Sequence, residues 1–302
     1  MTFYEKLDSI MKEDPGDRGL IPYMPPNPVK ELDKALDSVE RVMLLTGFPT
    51  RLGENKWIGE TDGPLGTANI AVAFEKLGIP VMPMTDSQGY RPFEAALKTI
   101  GCKTRPTLIP YEETEAFIIR LLNKFKPTHL ITLERPGKAK DGHYHSMMGK
   151  VIDDMLTDCS CIIDEAKKRG VITISVGDGG NEIGMGALRD VIESKVPHGM
   201  EICASECAQI PLVAGVSNWW GWGICALLSR KHGKNLLSDK DMEKRLIKAI
   251  VAAGSVDGCT RKNAPTVDRL PMSVHLDILK KVQTILNEEH KINGQVTVGE
   301  RS

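Results

Sequence analysis

No stretch of the 302-residue chain offers the roughly 18 consecutive apolar residues that a membrane-crossing helix needs. The nearest run, Leu212 to Leu228, is interrupted by Ser217, Asn218 and several glycines. A basic excess is missing too. The 39 Lys and Arg stand against 40 Asp and Glu, a formal charge of −1 that argues against nucleic acid as a partner. Aromatic residues are scarce at 5%, yet Trp219, Trp220 and Trp222 crowd together; with no basic patch around them they read as core, not as a base-stacking platform. The seven cysteines follow no disulfide-type spacing and read as reduced thiols of a cytoplasmic protein. The opening Met-Thr-Phe-Tyr-Glu-Lys is too polar to read as a secretory leader.

Several familiar chemistries are absent as well. Gly177-x-Gly179 is followed by Glu182 where a dinucleotide fingerprint needs its third glycine. Gly149-Lys150 continues with Val151, so there is no Walker loop. Gly215-Val-Ser217-Asn-Trp219 lacks the last glycine of a serine nucleophile elbow. No Asp-x-Asp-x-Thr follows a strand. His143-Tyr-His145 reads as a solvated loop, and Cys159, Cys161, Cys203 and Cys207 read as ordinary thiols without metal-type pairing.

What the chain does have is alternation. Apolar runs at Arg41–Gly47, Ile79–Met84, Thr107–Pro110, His129–Glu134 and Val171–Gly177 alternate with helical patterns at Leu65–Leu77, Phe93–Ile100, Glu112–Phe125 and Cys159–Arg169. Further helices are expected at Pro211–Lys231, Lys240–Val251 and Ser273–Glu289, with strand character at Ile202–Ser205 and Ser255–Gly258. The pattern predicts an α/β fold: a doubly wound, mostly parallel sheet with helices on both faces, a Rossmann-like three-layer sandwich. Residues 1–40 are turn-rich and read as an arm lying on a single domain spanning 41–302.

Ligands in such sheets bind beyond the carboxyl ends of the strands. Those ends carry Thr46, Gly47 and Thr50, then Asp62 and Gly63, then Asp86, Glu134 and Arg135, then the stretch from Gly177 to Gly186, and near the C-terminus Asp257. Half of the ten residues Gly177–Gly186 are glycine, with Asp178 and Glu182 among them. The N–H groups of Gly177, Gly179 and Gly180 are candidates for holding an anion, with a helix start near Asn181 to assist them. Asp62, Glu134, Asp178 and Glu182 are hard oxygen ligands suited to Mg²⁺ or Mn²⁺. Clustered carboxylates repel unless a proton or a cation joins them, so their convergence points to a site.

The strings TGFPT (Thr46–Thr50), ETDGPLG (Glu60–Gly66), LERPGKAKDGHYH (Leu133–His145), GDGGNEIGMG (Gly177–Gly186), AGVSNWWGW (Ala214–Trp222) and VDG (Val256–Gly258) occur in that order. From about residue 40 onward the chain resembles the C-terminal domain of the D-glutamate cyclase family. In two-domain relatives this domain follows a hydro-lyase-like domain, and the resemblance covers the second domain alone. It implies conversion of D-glutamate to 5-oxo-D-proline and water, with Arg135 holding the α-carboxylate.

Read from the residues themselves, the leading expectation is a divalent-metal-dependent phosphatase acting on a small anionic metabolite. Asp178, Glu134 and Arg135 would be its catalytic groups. Asp62, Glu134, Asp178 and Glu182 would be its ligands, and Thr46, Gly47, Thr50, Gly63, Asn181 and Asp257 would surround the substrate. D-glutamate cyclisation is the alternative, and a non-catalytic small-ligand sensor a third reading. Neither a membrane nor nucleic acid is expected as a partner; a homo-oligomer is compatible with all three.

Overall fold

The computed structural model describes residues 1–299, so the last three residues of the expected 41–302 domain lie outside the described residues. In chain order the elements are α1 (Phe3–Met11), α2 (Val29–Ala35), β1 (Val42–Thr46) and a hairpin of β2 (Pro49–Gly53) and β3 (Lys56–Gly59). Next come α3 (Pro64–Lys76), β4 (Val81–Thr85), α4 (Ser87–Ile100), β5 (Thr107–Leu108), α5 (Thr114–Phe125), β6 (His129–Leu133), α6 (Ile162–Lys167) and β7 (Ile172–Gly177). The chain continues through α7 (Arg189–Lys195), α8 (Gly199–Ile202), β8 (Ile210–Val213), α9 (Trp219–His232), α10 (Lys240–Ala252), β9 (Thr266–Val267), β10 (Leu270–Pro271) and α11 (Met272–Gly299).

Six strands form one all-parallel sheet in the order β5-β4-β1-β6-β7-β8. The chain winds outward from β1 through β4 and β5, then returns and winds the other way through β6, β7 and β8. This is the doubly wound arrangement, and its direction reverses between β1 and β6. Strand side chains alternate between two faces, which makes two cores. Val42 and Leu44 of β1 join the larger core with residues of α1, α3, α9, α10 and α11. Met43 and Leu45 join a smaller one with Ile118 and Leu122 of α5 and Ile162 and Ile163 of α6. The expected three-layer α/β sandwich is therefore the observed fold. Among the described residues, no helix is long and apolar enough to cross a membrane.

Four local expectations need correction. Ile210–Val213 is the sixth strand, not the start of a helix, and the helix begins only at Trp219. Pro211 is tolerated there because β8 lies at the sheet edge. Ile202 ends a helical turn, and the region after it contributes only isolated bridges such as Ala139–Ala204. Ser255–Gly258 contributes a single parallel bridge, Val256 to Glu60. No helix starts near Asn181, since the chain there runs across the strand ends and bridges Pro136 to Glu182. The first forty residues also hold more than turns: Leu7 and Met11 of α1 are completely buried in the larger core.

Helices α3 and α9 are buried on all sides along most of their length, which marks them as central rather than amphipathic surface helices. The three tryptophans lie in this core. The Trp219 indole N–H donates to His275 Nδ1 and that of Trp222 to Glu243 Oε1, both at 3.0 Å. The two helices touch through glycine. A Cβ on Gly66 would lie 2.7 Å from the Asn218 carbonyl oxygen, and one on Gly221 would run into the Gly66 backbone. Gly221→Ala is expected to cost about 1–3 kcal/mol of stability by overpacking, read from urea denaturation. An unchanged midpoint would mean that the two helices separate without penalty.

Candidate active site

The point where the sheet changes direction gathers the polar strand ends. After β3 the chain passes Glu60, Thr61, Asp62 and Gly63 into α3, while Ser217 and Asn218 lead into α9. These two helix entries clasp each other. Asp62 Oδ1 accepts from the Asn218 N–H at 2.8 Å and the Gly63 N–H at 3.0 Å, and Oδ2 accepts from the Ser217 N–H at 3.0 Å. In return Asn218 Oδ1 accepts from the N–H groups of Gly63 and Gly66, and its Nδ2 donates to the Thr61 carbonyl. First-turn N–H groups that have no partner within their own helix are thereby satisfied.

Glu134 and Asp178 complete the floor. Glu134 follows β6 with φ of +50°, a left-handed conformation costly for a residue with a side chain. Its Oε2 accepts from Ser217 Oγ at 2.6 Å. Gly63, with φ of +98°, makes room: a Cβ there would lie 3.0 Å from Glu134 Cβ and 2.6 Å from Thr46 Oγ1. Asp178 follows β7. One carboxylate oxygen from each of Asp62, Glu134 and Asp178 lies within 4.8 Å of the other two, all three residues being buried. Asp178 Oδ2 is buried and has no hydrogen-bond partner among the described residues.

A cavity of about 550 Å³ opens beside this floor. Glu60, Glu134 and Asp268 line it together with Arg18, Arg261 and Arg269, and Phe48, Met147, Ile152 and Met155 give it an apolar wall. Arg18 reaches in from the N-terminal segment. Its guanidinium contacts Asp178 Oδ1 at 2.7 Å and Asp268 Oδ1 at 2.8 Å. Asp14 fixes its backbone, both carboxylate oxygens accepting the Arg18 N–H at 3.1 Å.

The chain matches the family described as D-glutamate cyclase-like, C-terminal, over residues 7–283. It is also similar to the human protein named D-glutamate cyclase, mitochondrial, with 30% identity over 235 residues covering 74% of this chain. The chain belongs to the D-glutamate cyclase-like family. It spans 38% of the length of that human relative. The match begins at residue 7, so it takes in the N-terminal segment and Arg18. A cyclase relative favours the ring-closing alternative, and nothing in either comparison speaks for a phosphatase.

Within this site the predicted residues divide. Asp62, Glu134 and Asp178 come together as expected of a ligand set, and Glu182 takes another place. Its carboxylate accepts the N–H groups of Asp178 at 3.0 Å and of Gly179 and Gly180 at 2.7 Å. The N–H groups of Gly179 and Gly180 assigned to an anion are thus taken by the protein's own carboxylate, while Gly177 ends β7. Arg135 is fully buried and turned away from the cavity. It pairs with Asp86 Oδ2 at 2.6 Å and donates to the Gly47 carbonyl at 3.3 Å and to the Thr157 carbonyl. Its assignment as a catalytic or substrate-binding group does not fit this placement.

Asp257 shapes a loop: it accepts from the N–H groups of Thr260 and Arg269 and from Thr266 Oγ1. That loop delivers Cys259, Arg261, Asp268 and Arg269 to the cavity. Thr50 and Asn181 do line the cavity, Thr50 Oγ1 donating to Glu60 Oε2. Thr46 lies beneath the floor, its hydroxyl buried and unpartnered, and Gly47 fits against Thr85. Sequence reading missed Arg18 and Asp268 and passed over Glu60.

Burial and mutual repulsion dominate the electrostatics. Burial, then Asp268, raises Asp62 from 3.8 to about 8, against the pull of the Asn218 and Gly63 N–H groups. Burial and neighbouring carboxylates also push Glu60, Glu134 and Asp178 well up. Burial opposes the charge of Arg18, yet Asp178 and Asp268 outweigh it and hold the guanidinium firmly protonated.

Two expectations follow from these placements. Arg135→Met leaves Asp86 buried without its partner and is expected to cost about 3–5 kcal/mol in urea denaturation. Mn²⁺ affinity should be unaltered, and a weakened Mn²⁺ affinity would return Arg135 to the site. The second concerns pH. A carboxyl whose folded pKa lies above its unfolded one adds stability that is complete below the unfolded value and lost as pH rises through the folded value. In EDTA the melting temperature should therefore fall as pH climbs from near 3.8 toward about 8, the window set by Asp62. Mn²⁺ should reverse most of that fall at the alkaline end. A melting temperature that is flat across the window in EDTA would contradict the buried, repelling floor.

Proposed function

We propose that this chain closes D-glutamate into 5-oxo-D-proline, the activity for which its human relative is named. The observation that carries the reading is the buried trio Asp62, Glu134 and Asp178 beside a cavity that Glu134 lines and whose rim is basic, in a chain of this family. Lactam formation from an ammonium and a carboxylate is balanced within the molecule. The nitrogen loses two protons, one bond forms from nitrogen to the carbon of the γ-carboxylate, and one oxygen of that carboxylate departs with those protons as water.

Three demands come with that chemistry: the ammonium must be deprotonated, the negative charge on the γ-carboxylate must be offset, and bulk water must be kept out. The trio fits a hard divalent cation such as Mg²⁺ or Mn²⁺, since its donors are all carboxylate oxygens and Asp178 Oδ2 lacks any other partner. When bound, such an ion supplies Lewis acidity at a carboxyl oxygen. Glu60 lines the cavity beside this floor, and its raised pKa suits a group that takes a proton from the ammonium and returns it to the departing oxygen. The apolar wall of Phe48, Met147, Ile152 and Met155 limits water at the reacting atoms. Ser217 holds Glu134 in place through its hydroxyl.

The test is direct. Purified protein incubated with D-glutamate and Mn²⁺ should yield 5-oxo-D-proline by chromatography and mass spectrometry, and EDTA should abolish the yield. Asp178→Asn should lower kcat/KM on the order of a hundredfold, because the amide keeps the shape and loses the charge. Binding of D-glutamate without product would favour the sensor reading. Phosphate release from small esters without any lactam would restore the phosphatase.

A further inference from the structure

The cavity presents three acidic residues, Glu60, Glu134 and Asp268, and an acidic amino acid brings two more carboxylates to it. Some group must accept the one that does not react, and Arg135 is sealed away beneath the floor. Arg261 and Arg269 stand at the exposed rim. Arg18 differs from both. Its side chain is only 16% exposed, it lines the cavity, and its position is fixed from two sides by Asp178 and Asp268.

Of the five N–H groups of a guanidinium, the described contacts use one edge toward Asp178 and another toward Asp268 and Cys259 Sγ. The remaining N–H groups have no partner among the described residues. Nη1 is engaged by Asp268 and Cys259 and Nη2 by Asp178, which leaves the Nε–H and one Nη2–H of this cavity-lining arginine, and a guanidinium with two unused donors can bind a carboxylate with two parallel hydrogen bonds. Each anchoring carboxylate also keeps one buried oxygen unpaired, Asp178 Oδ2 and Asp268 Oδ2, so neither is saturated by the arginine.

We propose that Arg18 is the specificity-determining residue of the cavity, holding the non-reacting carboxylate of an acidic amino acid while sharing Asp178 with the bound cation. The assignment rests on the cyclase reading for its substrate class. It has two consequences of opposite sign. Arg18 attracts the ligand's carboxylate, so its loss weakens the ligand. It also places a positive charge against a carboxylate of the cation site, so its loss strengthens the cation. A divalent ion feels that charge twice as strongly as a competing proton does.

Calorimetry with Mn²⁺ alone, and then with D-glutamate on Mn²⁺-loaded protein, separates these effects. Arg18→Met should bind Mn²⁺ on the order of tenfold more tightly and D-glutamate on the order of tenfold more weakly than the unaltered chain. Arg18→Lys keeps the charge and loses the fork, so it should bind Mn²⁺ as the unaltered chain does and still bind D-glutamate weakly. A merely structural role would weaken both ligands in Arg18→Met and lower its melting temperature in parallel, and that result would overturn the assignment. So would a loss of D-glutamate affinity in Arg261→Met or Arg269→Met with Arg18→Met unaffected. D-glutamate that binds in the Arg18-dependent manner without being cyclised would sink the catalytic reading and leave Arg18 standing. No binding of D-glutamate at all would sink both.

Discussion

Like charges held in one dry place repel, and the architecture around this site is arranged to contain that repulsion. Asp62, Glu134 and Asp178 sit within 4.8 Å of one another, with Glu60 and Asp268 beside them. In water such a group would spread apart; here the backbone does not allow it. Asp62 is tied down by three N–H groups from two helix entries, and Glu134 by a hydroxyl and a left-handed backbone turn. The Asp178 loop is tied down by Glu182. The glycines at the α3–α9 crossing serve the same end, because they bring the two helix entries close enough for Asp62 and Asn218 to clasp. A site that stores this much electrostatic tension releases it when a cation or proton arrives. This links the packing of the central helices to the chemistry at their ends.

The frame was legible in the sequence because its signals are local. Apolar runs marked β1, β6 and β7, and the strand-end rule then located Asp62, Glu134 and Asp178 without any contact being known. What failed depended on direction and distance. Glu134 takes a left-handed conformation just past the end of β6, so the alternation of the strand stops there, and Glu134 turns to Ser217 while Arg135 turns to Asp86 and Thr157. Glu182 was misread because a carboxylate two residues past a glycine turn looks the same whether it faces a ligand or folds back onto the turn. Arg18 and Asp268 carry no local mark of function; only the folded chain brings them to Asp178. The dense turn around Asp14 was the one hint that the backbone at Arg18 is fixed.

Family membership and geometry bear on different parts of the functional reading. The family match and the human relative speak for ring closure, while the floor of carboxylates speaks for a cation and an acidic ligand whatever the reaction. The two meet in the N-terminal segment. It reads as peripheral in the sequence, yet it buries Leu7 and Met11 in the main core and sends Arg18 into the cavity.

The span of chain that must meet at the cavity has a bearing on how the protein is made. Arg18 contacts Asp178 across 160 residues and Cys259 across 241. Contacts of such separation close late, since the loop entropy has to be overcome before they form. On the ribosome, helices and neighbouring strands assemble while the cavity still lacks one wall. The sixth strand of the sheet ends at Val213, whereas Cys259, Asp268 and Arg269 follow it, so a chain emerging in order has every strand of its sheet before it has this wall of the cavity.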